Sequence, residues 1–486
     1  MSQSIVPTEI WSHIVQYVPR GEQTKLLGVS SLFHDIALDL IFSAVKIYFV
    51  GGDQAYSMLN TDHEEFLDET SQKLTTRSWE ILRRITRDSN FARLVKSLTV
   101  VAFTDGIALF EQLCLGDALV ALSNLRTFRW HGTHPGLTDA IAGHISQATE
   151  SICLQTYVPS SEAMQRFTGL RRVAFTSPFL YPDDEEAHDS CTFVEELYSA
   201  IDSTRFNHVL GSMNIDFLQS LAIDGACISG MPVRILSALK ELTICISTDC
   251  ENLNLDLVFR HSIKLESFSI VGFIGLEIFP SFITDTSVLP SLHSFRLSCD
   301  NATMVETPEP QWVEGLFKFI GDRKKLRRLY LRIPSIDLNL LHETSHLDLL
   351  GKLKHLQVLG LHTGVTDIDM PFICDLCKIL PTGLKAFHLA MDWSGDPLLN
   401  LVDILATCRH LTFAHFYGIF NRLPLLLIDL ATDVTSLKMV GLNRALWDVD
   451  RSGPELELKK WPRWKIKFAS EEDFECEDAY WLFQFN

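Results

Sequence analysis

The sequence of 486 residues predicts an α/β chain in which a short all-helical head precedes a long run of strand-and-helix units. Apolar residues recur every four positions just after Pro7, and the pattern apolar-x-x-apolar-x-apolar returns many times between Val95 and Met439. Composition agrees: 47% of the residues are hydrophobic against 25 Gly and 18 Pro, which excludes disorder and collagen-like or low-complexity structure.

In chain order, Ile10, Ile14 and Val18 form the stripe of a first helix, with Pro7 suited to its first turn. Gly21 breaks it. Leu26, Leu27 and Val29 mark a second short helix, and Ser30 can cap a third that carries Phe33, Ile36, Ala37, Leu40 and Ile41. This head, residues 1–45, is too small to bury much area alone, so it leans on a neighbour or a partner. The β-branched and aromatic run Val45 to Val50 reads as a strand closed by Gly51-Gly52, and Leu74, Trp79, Leu82 and Ile85 as a connecting helix. Residues 46–90 are thus expected to link head and repeat.

The repeat is assigned to 91–450. Its triplets run from Val95-Leu98-Val100 and Leu125-Phe128-Trp130 through Leu292-Phe295-Leu297, Leu326-Leu329-Leu331, Leu356-Leu359-Leu361 and Leu384-Phe387-Leu389. The last two are Leu411-Ala414-Phe416 and Val434-Leu437-Met439. Their central residues step by roughly 28, the period of leucine-rich repeats. One strand plus one return helix can bury its apolar face only against neighbouring units, which predicts a curved parallel sheet with convex helices. Val313, Leu316, Phe317 and Ile320 mark one return helix, and Leu398, Leu401, Val402 and Leu405 another. The interval from Val173 to Leu221 is nearly two periods long and holds Asp183-Asp184-Glu185-Glu186, read as a solvated acidic insert in preference to a partner-binding arm. Residues 451–486 form a cap and acidic tail, in which Tyr480, Trp481, Phe483 and Phe485 are expected to close the last repeat.

Charge and chemistry narrow the function. Lys and Arg number 42 against 61 Asp and Glu, and a net charge of -19 opposes general nucleic-acid binding. Met1 to Pro7 lacks a signal-peptide pattern and Leu423 to Leu430 is too short to span a bilayer, so no membrane association is expected. Eleven scattered Cys fit a reducing compartment, cytosol or nucleus. Cys374 and Cys377 have redox or zinc spacing but no second ligand pair, and are read as structural thiols. No phosphate loop or nucleophile elbow is present, and no enzyme activity or cofactor is expected. His362, His388 and His415 fall on adjacent strands, where a polar binding surface is the more economical reading than a metal site.

The residues that carry a family resemblance are Pro7-Thr8-Glu9-Ile10-Trp11, then Ile14, Tyr17-Val18, Leu26-Leu27-Gly28-Val29-Ser30 and Phe33. This set resembles the F-box, whose pattern runs Leu-Pro-x-Glu-Ile and ends Leu-x-x-Val-Ser-x-x-Phe; Val6 stands where that family has Leu. A head of this kind followed by leucine-rich repeats is similar to the receptor subunits of Skp-cullin-F-box ubiquitin ligases, including those of mushroom-forming fungi. The resemblance implies that Pro7, Ile10, Ile14, Leu26 and Val29 contact a Skp-type adaptor and that the repeat holds a protein substrate. The rival readings are a stand-alone leucine-rich-repeat scaffold and, more weakly, a hydrolase with an unrecognised site.

Strand alternation locates the expected substrate surface. Early repeats present small residues on the concave face: Thr99, Cys153, Ala174, Ala222 and Ser269. Later ones present Arg296, Arg328, Tyr330, Arg332, His362, His388, His415, Tyr417 and Lys438, a basic and aromatic set suited to an acidic or phosphorylated substrate segment. The competing reading has these side chains pairing with acidic neighbours across the sheet.

Overall fold

The computed structural model describes the chain except residues 1–5, 19, 53–66, 105–107, 155–157, 176–202, 247–252, 254, 283–287, 300–308, 334–345, 368–375, 377, 393–397, 419–423, 475 and 485–486. The acidic insert and the Cys374/Cys377 pair therefore lie outside the described residues. The chain divides into two compact units, Met1–Ser177 with His208–Leu218, and Pro178–Asn207 with Gln219–Asn486.

In the first unit, helices α1 (Thr8–Gln16), α2 (Arg20–Leu26) and α3 (Ser31–Phe42) form the head. Ser30 caps α3 as its residue type suggests, its hydroxyl accepting from the Phe33 amide at 3.3 Å. The Gln23 amide donates to the carbonyls of Val15 at 3.3 Å and Val18 at 2.9 Å, satisfying the end of α1. The Trp11 and Phe33 rings meet edge-on at 5.2 Å, and Val15, Ile36 and Ala37 are buried.

Five parallel strands follow: β1 (Ala44–Gly51), β2 (Ser97–Thr104), β3 (Thr127–His134), β4 (Ser151–Leu154) and β5 (Arg172–Ala174). Val45, Leu98, Phe128, Ile152 and Val173 are aligned across them. β1 is thus the first strand of this sheet. The helix Leu67–Arg87 packs on it, with Ser71 Oγ and Thr75 Oγ1 donating to the Val50 carbonyl at 2.9 and 3.2 Å.

The second unit repeats the plan in nine strands: β6 (Ser220–Asp224), β7 (Glu241–Ile246), β8 (Ser267–Gly272), β9 (Ser294–Cys299), β10 (Arg328–Ile333), β11 (Val358–Asp367), β12 (Ala386–Asp392), β13 (Phe413–Tyr417) and β14 (Met439–Leu442). All pair in parallel with Leu221, Leu242, Phe268, Phe295, Leu329, Leu359, Phe387, Ala414 and Val440 in one row. Outside the strands the ladder continues through shared acceptors. The carbonyls of Gln219, Lys240, Glu266, His293, Arg327, Gln357, Lys385 and Thr412 each take two amides of the next unit. The two amides are those of the residues just before each central position, so consecutive units are tied together where the chain enters its strand. This is a leucine-rich-repeat solenoid fold.

Phe259, Phe282 and Phe319, from the return segments, meet Phe268 and Phe295 at ring separations of 5.5 to 6.2 Å. The central row therefore faces the return helices, and the alternate positions form the opposite, inner face. Leu329, Leu359 and Phe387 are at most 2% exposed. After β14 the sheet reverses: β15 (Ala445–Asp450) and β16 (Glu457–Lys460) pair antiparallel. Asn443, in the turn between β14 and β15, has φ 49°, a left-handed conformation that Asn tolerates.

The last triplet is corrected by this register. Val440, not Leu437, aligns with Ala414, so Lys438 stands level with Thr412 just before the strand and is exposed there, off the inner face. Leu437 and Met439 are both apolar, which let the pattern slide by three positions.

Candidate functional site

The head presents an apolar face. On α1, Ile10 is 48% exposed, Ile14 47% and Tyr17 84%, spaced four and three residues apart and so on one side of the helix. Val29, in the turn after α2, is 61% exposed; Pro7 is exposed and Leu26 half-buried. Tyr17, which carries part of the resemblance, is not among the adaptor contacts that the resemblance implies, yet it is more exposed than Ile10, Ile14 or Val29.

The inner face of the second unit is built by register. Arg296, Tyr330, Gly360, His388, His415 and Gly441 occupy one row on β9 to β14. Arg328 lies one step towards the strand starts, and Arg332, His362 and Tyr417 one step towards the strand ends. Gly360 is required by its neighbour: a Cβ there would collide with the Tyr330 ring and come within 2.9 Å of Leu482 Cδ1.

The row is not an open surface, which corrects the expectation for its centre. The chain's own terminal helix, Glu477–Phe483, lies on it. Arg296 and Tyr330 are fully buried, and His388 and His415 nearly so. The Arg296 guanidinium sits 4.5 Å from both the Tyr330 and the Trp481 ring centres, and its Nη2 donates to the Trp481 carbonyl and, at 3.5 Å, to that of Leu482. Burial pushes its pKa down to about 9, the Tyr330 hydroxyl acting weakly the other way, so it remains a cation at neutral pH. Arg328 Nε donates to Asp478 Oδ1 at 2.7 Å and Nη2 to Glu477 Oε1 at 2.9 Å. Burial works against that charge, but the hydrogen bonds and charges of Glu477 and Asp478 prevail and raise its pKa. Lys385 Nζ stands 3.8 Å from Asp478 Oδ2. The acids that pair with Arg328 and Lys385 thus come from the C-terminal tail.

The aromatic tail does more than close an end. Trp461 and Phe474, 5.4 Å apart, pack with Phe413, Met439 and Leu446 near the last strands, as a cap would. Trp481 and Leu482 continue as far as β9 and β10.

The histidines form a directed chain. His415 Nε2 lies 2.7 Å from the Asn443 carbonyl, which only accepts, so Nε2 carries the proton. In the neutral ring His415 Nδ1 is then an acceptor, and His388 Nδ1, 2.7 Å away, must donate to it. That leaves a lone pair on His388 Nε2, a buried atom with no partner among the described residues. Burial, first, and then the charges of His415, His362, Arg332 and Arg296 keep His388 neutral, its pKa well below the ordinary value. Among the described residues no group of three His, Cys, Asp or Glu is arranged to hold a metal ion. His362 and Tyr417 are half-buried, with their rings 5.8 Å apart, and Arg332 is also half-buried.

In the first unit the inner row reads Lys46, Thr99, Arg129, Cys153 and Ala174. The early face is therefore less uniformly small than expected, and Arg129 Nη1 donates to Ser97 Oγ at 3.1 Å.

No protein-family model matches the chain, and no curated protein does. Among solved structures it is similar to a chain described as "Crystal structure of TLR13-ssRNA13 complex", at 13% identity over 73% of this chain and 52% of that one, with a TM-score of 0.28. The chain thus spans about half the length of that neighbour, and a score this low adds nothing to the fold established by the strand register.

Proposed function

We propose that the chain is the substrate-recognition subunit of a Skp-cullin-F-box type ubiquitin ligase. In this reading the head binds a Skp-type adaptor, the repeat holds a protein substrate, and the chain itself catalyses nothing and works in the cytosol or nucleus. One observation carries the proposal: a helical head with F-box lettering leaves Ile10, Ile14 and Tyr17 exposed along one side of α1, and Val29 exposed in the turn after α2. Isolated apolar side chains are common on protein surfaces, but three along one side of a helix are the start of an interface core. Pro7 and Leu26 belong to the same contact in this reading, and Arg332, His362 and Tyr417 are the half-buried members of the substrate face.

The test is capture of a purified Skp-type adaptor by the full chain. Ile10→Lys with Ile14→Lys should abolish capture and leave the thermal midpoint within about 2 °C, because surface substitutions change stability by only about 0.5 kcal/mol. If the unaltered chain captures no adaptor, the stand-alone scaffold takes its place.

A further inference from the structure

The inner face of β9 to β13 reads both ends of a short helix. At the start of the helix Glu477–Phe483, Arg328 and Lys385 engage the carboxylates of Glu477 and Asp478. At its end Arg296 takes the carbonyls of Trp481 and Leu482, groups that a helix terminus leaves without an internal partner. Between these anchors Trp481 lies against two guanidiniums, and Leu482 meets the space left by Gly360. Phe483 meets the edge of His415 at 5.7 Å.

A permanent core contact would be served better by aliphatic residues, since burying charge is costly even when it is paired. Arg and Tyr, which line the centre of this face, are residue types enriched where proteins recognise one another. The seven-residue helix is also too short to persist alone in water, so its shape depends on this face. The preceding tail is anchored near the last strands by Trp461 and Phe474, 5.4 Å apart, and Phe474 also meets Tyr480 and Phe483 of the helix at 5.7 and 5.8 Å.

We infer that this face is a receptor for short acidic–aromatic helices, and that Glu477–Phe483 is its displaceable resident. The protein partner taken in trans carries the same lettering: two acidic residues in its first helical turn, then an aromatic–Leu pair three and four residues after the second acid. The tethered resident keeps the face closed to weaker ligands, because a linked ligand competes at an effective concentration near the millimolar range. The inference rests on reading this face as the partner site, and not on the adaptor assignment of the head.

The probe is a fluorescent synthetic peptide of residues 470–484, titrated by anisotropy against full chains. Asp478→Lys with Trp481→Ala in the chain should loosen the resident, and that variant should bind the peptide at least tenfold more tightly than the unaltered chain does. A peptide carrying Glu477→Lys and Asp478→Lys should fail on the loosened variant, yet bind a full chain carrying Arg328→Glu. Equal binding to the unaltered and loosened chains, or none to a loosened chain whose circular dichroism is native, overturns the inference. Hydrogen exchange on the unaltered chain gives a separate check: amides 479–484 should exchange at least tenfold faster than those of β10 and β12. Exchange of helix and strands in one step would make the helix an inseparable part of the core and overturn the inference as well. Adaptor capture is measured apart from this, so failure of the peptide leaves the ligase reading untouched, and the reverse.

Discussion

Replacing Arg296 tests how the terminal helix is held. The guanidinium is fully buried between two rings at 4.5 Å and donates to two main-chain carbonyls. Losing a charge-assisted hydrogen bond costs about 1.5 to 3 kcal/mol, and losing a desolvated cation–π contact about 2 kcal/mol. Against these stands relief from keeping a cation out of water, a penalty of several kcal/mol. Arg296→Ala adds a cavity beside Trp481, so its net effect on helix docking should be a loss of about 2 to 4 kcal/mol. Arg296→Met fills the space and removes the charge together, and should cost about 1 kcal/mol or less. Hydrogen exchange of amides 479–484 reads the difference directly. Protection should fall by roughly thirtyfold to several hundredfold in the Ala variant and by about fivefold or less in the Met variant. If the Met variant loses as much protection as the Ala variant, the charge itself holds the helix, and desolvation of the guanidinium does not offset its hydrogen bonds and ring contacts.

Leu359→Ala removes a side chain 2% exposed in the row that faces the return helices, and should cost about 2 to 5 kcal/mol, read as a lower urea midpoint for the second unit. A change below about 0.5 kcal/mol would contradict the register. Burial lowers the pKa of His415 to about 4, with the Asn443 carbonyl pulling the other way, whereas an unfolded histidine titrates near 6.5. Between those values the unfolded chain binds the proton and the folded one does not. Stability should therefore be intact above about pH 6.5 and fall with acidification, by up to about 1.4 kcal/mol per pH unit for each such histidine. Urea midpoints at pH 7, 6 and 5 measure this, and a flat profile would argue against buried neutral rings.

The repeat was legible because two periods act together, alternation within a strand and recurrence of the strand itself. Leu329, Leu359 and Phe387 could hardly sit elsewhere. β1 was missed as a repeat because the helix Leu67–Arg87 carries the chain far beyond one period before Leu98, although Val45 and Ile47 have the parity of the row. The basic and aromatic character of the inner face was equally visible, since alternation alone puts Arg296, Tyr330, His388 and His415 on one side. What covers that face was not, because Arg296 and Trp481 stand 185 positions apart and no local pattern couples them. The acidic run beside Trp481 was the available signal: its charge is the complement of the strand residues, but charge complementarity does not by itself say which of two surfaces an acidic segment meets.

The antiparallel turn after β14 has a consequence for how these molecules behave beside one another. A parallel repeat sheet would otherwise end in a bare row of amides and carbonyls, able to accept another strand from any neighbour. Here the last strand, β16, is four residues long, reads Glu-Leu-Lys-Lys, and is mostly exposed. A short edge carrying Lys459 and Lys460, with Lys459 held by Asp450 at 2.5 Å, offers little length to pair with. Stacking molecules end to end through β16 is thereby disfavoured at the concentrations where repeat proteins begin to form fibres. Replacing both lysines with Val or Thr would turn that terminus into a polymerisation seed.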